Sequence, residues 1–242
     1  LWLALWPATI LVPSVPALAQ GGAPAADRQA VEQIVREYLL EHPEVIIEAL
    51  ETFQQRQEMA QVERQRLALA ANREALAGAD AGPVAGNPAG DVTLVEFFDY
   101  QCGYCKSVHP SLKALLREDG ELRVVFKEFP ILGPASLTAA RAALAADRQG
   151  KYLEMHDALM ELRGTLDDAK VLRVAASVGL DLERLKADME SPEILAEIER
   201  NLRLAEVLGV NGTPAFVVGD RLVPGAIPLQ QLQDLIGQAR EG

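Results

Sequence analysis

The apolar positions of this chain change rhythm three times, and each change predicts a different kind of element. Val31, Ile34, Val35, Tyr38 and Leu39 repeat at the spacing of one helical face. His42-Pro43 interrupts that face, because the residue before a proline is pushed out of helical geometry. A second, longer helix is expected from about Glu44 to Ala75, with Ile46, Leu50, Phe53, Gln57, Ala60, Arg64, Leu67 and Ala71 forming a seam that is apolar at both ends and polar in the middle. A helix that long has little of its own to bury against, so residues 27–76 are expected to associate with further copies of the chain. Residues 77–90 hold five Ala, four Gly and two Pro and read as a linker.

Beyond Asp91 the texture is that of a mixed α/β domain spanning 91–242. Val92 to Phe98 is nearly continuous in apolar residues, as a buried parallel strand would be. A helix is predicted from Cys102 to about Arg117, and a second strand from Arg123 to Phe129, ended by Pro130 and Gly133. Residues 134–208 read as a helical insertion, interrupted at Gly150, Gly164 and Gly179, with helix starts at Asp167 and Ser191. Ala215–Val218, a turn at Gly219-Asp220 and Arg221–Val223 form a hairpin, and Leu229, Leu232, Leu235 and Ile236 give a last helical face.

Composition narrows the function. The chain has 242 residues, 23 basic against 35 acidic, for a net charge of −12, and no cluster of Lys or Arg relieves it. Nucleic acid is therefore not an expected partner. The first 26 residues carry no charge, and Ala17-Leu18-Ala19 before Gln20 has the small-x-small form of a cleavage site. Residues 1–19 are expected to be a signal peptide, and Pro7, Pro13 and Pro16 argue against a stable membrane helix there. Export would place the two cysteines in an oxidising compartment, the periplasm.

Those cysteines are Cys102 and Cys105, with Gly103-Tyr104 between them, at a strand-to-helix junction. A thiolate at a helix N-terminus faces unpaired N–H groups and the positive end of the helix dipole, which stabilise the anion. Cys102 is thus the expected nucleophile, and Cys105, one turn inside, can attack the resulting mixed disulfide. An inert bridge is a weak alternative, because closing so short a loop removes little unfolded-state entropy. No cofactor beyond this redox pair is expected, although Cu(I) suits two thiolates. Glu96 stands in mid-strand among apolar neighbours, where a desolvated carboxyl could relay a proton to or from Cys105; its alternatives are solvent exposure or pairing with Lys127. Thr213-Pro214 opens the hairpin's first strand, where trans is the default from sequence alone. His109 and Met155-His156 offer metal-binding side chains but fit helix packing as well.

Phe97-Phe98-Asp99-Tyr100-Gln101-Cys102-Gly103-Tyr104-Cys105, Lys127-Glu128-Phe129-Pro130 and Gly212-Thr213-Pro214-Ala215-Phe216 together resemble the thioredoxin-fold DsbA family of exported thiol–disulfide oxidoreductases. Tyr38 to Glu44 resembles the N-terminal helical segment of its ScsC-like and Com1-like members. The resemblance implies a thioredoxin fold with a helical insertion, a cis Pro214 beside the cysteines, Thr213 pairing with the substrate backbone, and Glu96 as a buried acid. Tyr104 and Phe216 offer an apolar patch for unfolded chains, with packing an equal alternative for each. The usual DsbA oxidase has Pro-His between its cysteines; Gly103-Tyr104, with Thr213 before the proline, is closer to the dimeric DsbC-type isomerase. Isomerase or reductase is therefore the favoured expectation, with oxidase and copper binding as alternatives. Expected partners are misoxidised exported proteins and a membrane redox partner.

Overall fold

A computed structural model describes residues 25–241, so the expected signal peptide lies outside the described residues. The chain divides into two compact units, one up to Glu58 and one from Met59 onward. The first contains α1 (Ala25–Glu41) and the opening of α2 (Glu44–Ala71). The break between the helices falls at His42-Pro43, as the proline dictates. Val31, Ile34, Val35 and Tyr38 on α1 and Ile46, Ile47, Leu50 and Phe53 on α2 are all largely exposed within this unit.

The second unit begins in the last turns of α2, continues through α3 (Arg73–Ala77) and is organised by a five-stranded sheet. Its strands are β1 (Val84–Gly86), β2 (Val92–Phe98), β3 (Leu122–Glu128), β4 (Ala215–Val218) and β5 (Arg221–Pro224), in the spatial order β1-β3-β2-β4-β5. β2 and β3 are parallel and joined by α4 (Gly103–Glu118), whereas the other pairs are antiparallel. Between β3 and β4 lies the insertion: α5 (Pro134–Asp147), α6 (Tyr152–Glu161), α7 (Asp168–Ser177), α8 (Leu182–Met189) and α9 (Pro192–Leu208). α5 is its centre. Ala139, Ala140, Ala142, Ala143, Ala145 and Ala146 are all fully buried, and their small side chains let neighbouring helices approach around nearly the whole circumference. α10 (Leu229–Glu241) closes the chain.

Strand alternation sorts the core into two layers. Leu94, Phe98, Val124, Phe126, Phe216 and Val218 point to one face, where Val108 and Leu112 of α4, Leu232 of α10 and the insertion cover them. Val95, Phe97, Val125, Ala215 and Val217 point to the other, where Leu69, Leu76, Leu204 and Leu208 cover them.

That second cover corrects the expected linker. Residues 77–90 carry β1, which pairs with β3 from Val84–Val125 to Gly86–Arg123. Gly86 takes a positive φ of 77° there, and a Cβ would strike the Leu122 carbonyl. Small residues in this stretch serve close backbone approach rather than slack. Two cations of β3 bind the same segment: Arg123 donates to the carbonyls of Ala77 (2.8 Å) and Gly78 (3.1 Å), and Lys127 donates to those of Ala75 and Ala81. The expected single helix to Ala75 is also broken at Asn72, which lets Leu76 turn into the core beside Leu69.

A chain beginning at Met59 is expected to unfold cooperatively near the full-length midpoint. One beginning at Asp91 loses Leu69, Leu76 and β1, and should be less stable by about 4 kcal/mol, taking roughly 2 kcal/mol for each leucine. Urea titration of the two forms measures the difference.

Candidate active site

The end of β2 delivers the site. Asp99, buried, turns the chain by accepting from the Gln101 N–H (2.7 Å) and the Ser136 hydroxyl (2.7 Å) on one oxygen and from the Leu132 N–H (2.9 Å) on the other. One carboxylate thus ties the loop before the cysteines to the start of the insertion. Nothing in the spacing of the chain singled it out, because its partners on the insertion side, Leu132 and Ser136, lie more than thirty residues away.

Cys102 caps α4. Its Sγ accepts from the Cys105 N–H at 3.4 Å and donates to the Thr213 carbonyl at 3.3 Å. Both thiols are free, and Cys105 is fully buried. The loop that supplies Thr213 holds a cis Thr213–Pro214 bond, with Pro214 buried and its carbonyl accepting from the Gly225 N–H (2.8 Å). Two of the sequence-derived substrate residues therefore converge on the nucleophile across 111 positions of chain. Tyr104 is 70% exposed beside them. Phe216 is not: it is fully buried opposite Glu96 in the β2–β4 register, so it belongs to the core and not to a surface patch.

Glu96 is 2% exposed and lies on the sheet face beneath α4, in line with Leu94 and Phe98. Burial alone pushes its carboxyl up to about 8. Pairing with Lys127 is excluded by register. Glu96 stands opposite Phe126, whereas Lys127 stands opposite Phe97 on the reverse face and spends its donors on the Ala75 and Ala81 carbonyls. Burial raises the Cys105 thiol strongly, and the negative charge of Glu96 raises it further. Ionisation of either group is therefore disfavoured by burial, and the charge of Glu96 makes ionisation of Cys105 harder still.

A second buried network lies alongside. Tyr100 and Tyr152 each donate a hydroxyl to Glu128 Oε1 at 2.9 Å, and the Tyr100 oxygen lies 3.1 Å from His156 Nδ1. Burial holds Glu128 far above the usual carboxylate range. His109, on the same α4 face as Cys105, is buried, and its Nε2 lies 3.1 Å from Asp157 Oδ1. Met155 and His156 are both fully buried, the former in the apolar core.

The site thus holds one thiol at a helix start, a second thiol one turn inside and a buried carboxyl beneath them, carried by a thioredoxin-like sheet. Comparison with known proteins agrees. The DSBA-like thioredoxin domain matches residues 93–237, and the chain belongs to that family. The copper resistance protein ScsC N-terminal domain matches residues 27–60.

Among solved structures, a thioredoxin-like oxidoreductase from Silicibacter pomeroyi is 51% identical, covering 71% of this chain and 99% of that one, with a TM-score of 0.69. A linker-deletion mutant of Proteus mirabilis ScsC is 29% identical over 91% of this chain and 98% of its own (TM-score 0.69). Salmonella enterica BcfH is 30% identical over 89% and 96% (TM-score 0.72). Among curated proteins, a Na(+)/H(+) antiporter NhaA of Salinispora arenicola is 32% identical over 67% of this chain, and the chain spans about a quarter of that protein's length. Among the described residues no helix is long and apolar enough to cross a membrane.

The raised Glu96 has a stability consequence of definite sign. Its proton is retained in the folded state between about pH 4.5 and 8 and lost from the unfolded chain, so stability falls as pH rises through that window. Glu96→Gln should remove this slope. The variant is expected to gain on wild type by a few kcal/mol at pH 8, shrinking toward zero near pH 4.5. Urea unfolding of both proteins across pH 5–8 reads it directly, and parallel curves would exclude an ionisable, desolvated Glu96.

Proposed function

We propose that this protein is an exported disulfide isomerase or reductase that works as a homo-oligomer in the periplasm. The observation that carries the reading is the exposed apolar surface of the first unit, from Val31 to Phe53, in a chain whose second unit holds both thiols. An isomerase must grip an unfolded chain while Cys102 tests pairings, and it must shield Cys102 from oxidants. Association through α1 and α2 would supply both. Gly103-Tyr104 supports the same direction, because no imidazole between the cysteines stabilises a thiolate.

The chemistry follows from the geometry. The Cys102 thiolate attacks a substrate disulfide, and one substrate sulfur leaves as a thiolate. In isomerisation that thiolate, or another in the same substrate, attacks the mixed disulfide and frees Cys102, with no net electron transfer. In reduction Cys105 attacks instead, and its proton passes to Glu96 in its ionised form, which is the minority form below about pH 8. The chain is left as the Cys102–Cys105 disulfide and the substrate holds two thiols, so a membrane redox partner is needed to return two electrons. Thr213, whose carbonyl holds the Cys102 thiol, offers its backbone to the substrate once that thiol has reacted, and exposed Tyr104 flanks it.

A second reading is favoured by the two free, adjacent thiols and by the copper-resistance description of the N-terminal match: Cu(I) held by Cys102 and Cys105. Thiol-dependent Cu(I) titration, repeated on Cys102→Ser, tests it.

The isomerase reading is tested by reactivation of a scrambled-disulfide protein with the reduced full chain and with a chain beginning at Met59. Activity and oligomeric mass in the first, both lost in the second, are expected. Failure of both forms alongside rapid oxidation of a reduced substrate by the disulfide form would make the protein an oxidase. Cys102→Ser should abolish exchange and Cys105→Ser should accumulate mixed disulfides visible on non-reducing gels; equal activity of the two variants would end any redox reading.

A further inference from the structure

The buried histidines of α4 and α6 are not used by the exchange chemistry, and although their rings pack among aromatic neighbours, each leaves one nitrogen unmatched. His109 lies one turn beyond Cys105 on α4, and His156 and Asp157 are neighbours on α6, which packs against it. One ligand atom from each of the three residues lies within 4.8 Å of those from the other two. His109 Nε2 is 3.1 Å from Asp157 Oδ1 but lacks the alignment of a hydrogen bond, and His156 Nε2 has no partner. Both nitrogens are shut away from water, where an unmatched polar atom costs about 1–3 kcal/mol.

The hydrogen-bond chain behind His156 decides which of its nitrogens is free. Tyr100 has one hydroxyl proton and donates it to Glu128 Oε1. The contact between that hydroxyl oxygen and His156 Nδ1 is then made by a proton on Nδ1. Nε2 is left as a bare lone pair. A ligating histidine whose other nitrogen donates its proton to a fixed oxygen is the arrangement that metal centres use to fix tautomer and ring orientation. Asp157 is held from its far side by Lys113 Nζ at 2.8 Å, leaving Oδ1 toward His109.

We propose that His109, His156 and Asp157 form a three-ligand site for a divalent first-row transition metal such as Zn2+, separate from the dithiol. Two imidazoles and a carboxylate are borderline donors suited to Zn2+, and a fourth position would be filled by water. Donors around a tetrahedral zinc stand about 3.4 Å apart, so a cluster whose ligand atoms lie within 4.8 Å must contract by up to about 1.4 Å. Asp157 is partly exposed and can make that movement. It also opens onto a cleft lined by Leu116, Arg117 and Leu153, which gives an ion and its water a way in. Bound there, the metal would pin the insertion to the active-site helix.

The test uses the full chain without a histidine tag, with Cys102 and Cys105 oxidised to their disulfide so that thiolates cannot bind. Equilibrium dialysis should find one Zn2+ per chain, and Zn2+ should raise the melting temperature. His109→Gln and Asp157→Asn should each weaken binding at least about tenfold. His42→Gln, which alters the remaining histidine, should leave it unchanged. Co2+ added to the oxidised wild type should give visible d–d absorption of tetrahedral nitrogen/oxygen ligation without a thiolate charge-transfer band; this readout stands even if a variant fails to fold. No Zn2+ binding by the oxidised wild type, no such Co2+ spectrum, or undiminished binding in the folded variants would overturn the proposal and leave the cluster an ordinary His–Asp–Lys ion-pair network.

Discussion

The structure is governed by the complete burial of β2. A strand covered on both faces needs two separate apolar layers, and each has been recruited from a different part of the chain. α4, α10 and the insertion supply one. The last turns of α2, with α3 and the end of α9, supply the other. The active site is a by-product of the same constraint. β2 ends where α4 begins, so the first helical N–H groups, Cys102 and the buried Glu96 beneath them are aligned by one continuous stretch of backbone.

Burial on that scale changes what the polar residues inside it can be. Glu96 has no counter-ion in the dry layer and is pushed up to about 8. Glu128 in the same layer has two tyrosine hydroxyls and is still held above the ordinary range. Lys127, facing the opposite layer, finds main-chain carbonyls and becomes a clamp on the segment before β1. Three ionisable groups within one sheet therefore take three roles, set by which face they point to and by what donates to them. Only Glu96 shares its space with a thiol.

The two units divide the labour in a way that suits exchange chemistry. The second unit holds both thiols together with the whole sheet. The first unit presents an apolar helical surface that has no partner within itself. A surface of that kind supports association, and association is what separates an enzyme that holds a substrate through several pairings from one that transfers a disulfide and leaves.

Local patterns were enough for the mixed α/β class, the order of elements from β2 onward and the cysteine pair. Apolar periodicity depends on neighbours a few residues away, and Cys102-Gly103-Tyr104-Cys105 carries its chemistry within one helical turn. Even the burial of Glu96 was legible, because an acid flanked by Val95, Phe97 and Phe98 has few ways out of a strand. What spacing could not show were relations between distant segments. Residues 77–90 have the composition of a flexible tether and became an edge strand because β3 offered unpaired backbone and two cations to hold it. Phe216 suits a surface patch or packing equally in the sequence, and only the β2–β4 register, which places it opposite Glu96, decides for the core. Asp99, and the meeting of His109 with His156 and Asp157, depend on the insertion folding back across α4. Sequence alone determined which residues could do chemistry here; tertiary structure decided which of them meet, because desolvation and hydrogen bonding act over a few ångströms of space and not along the chain.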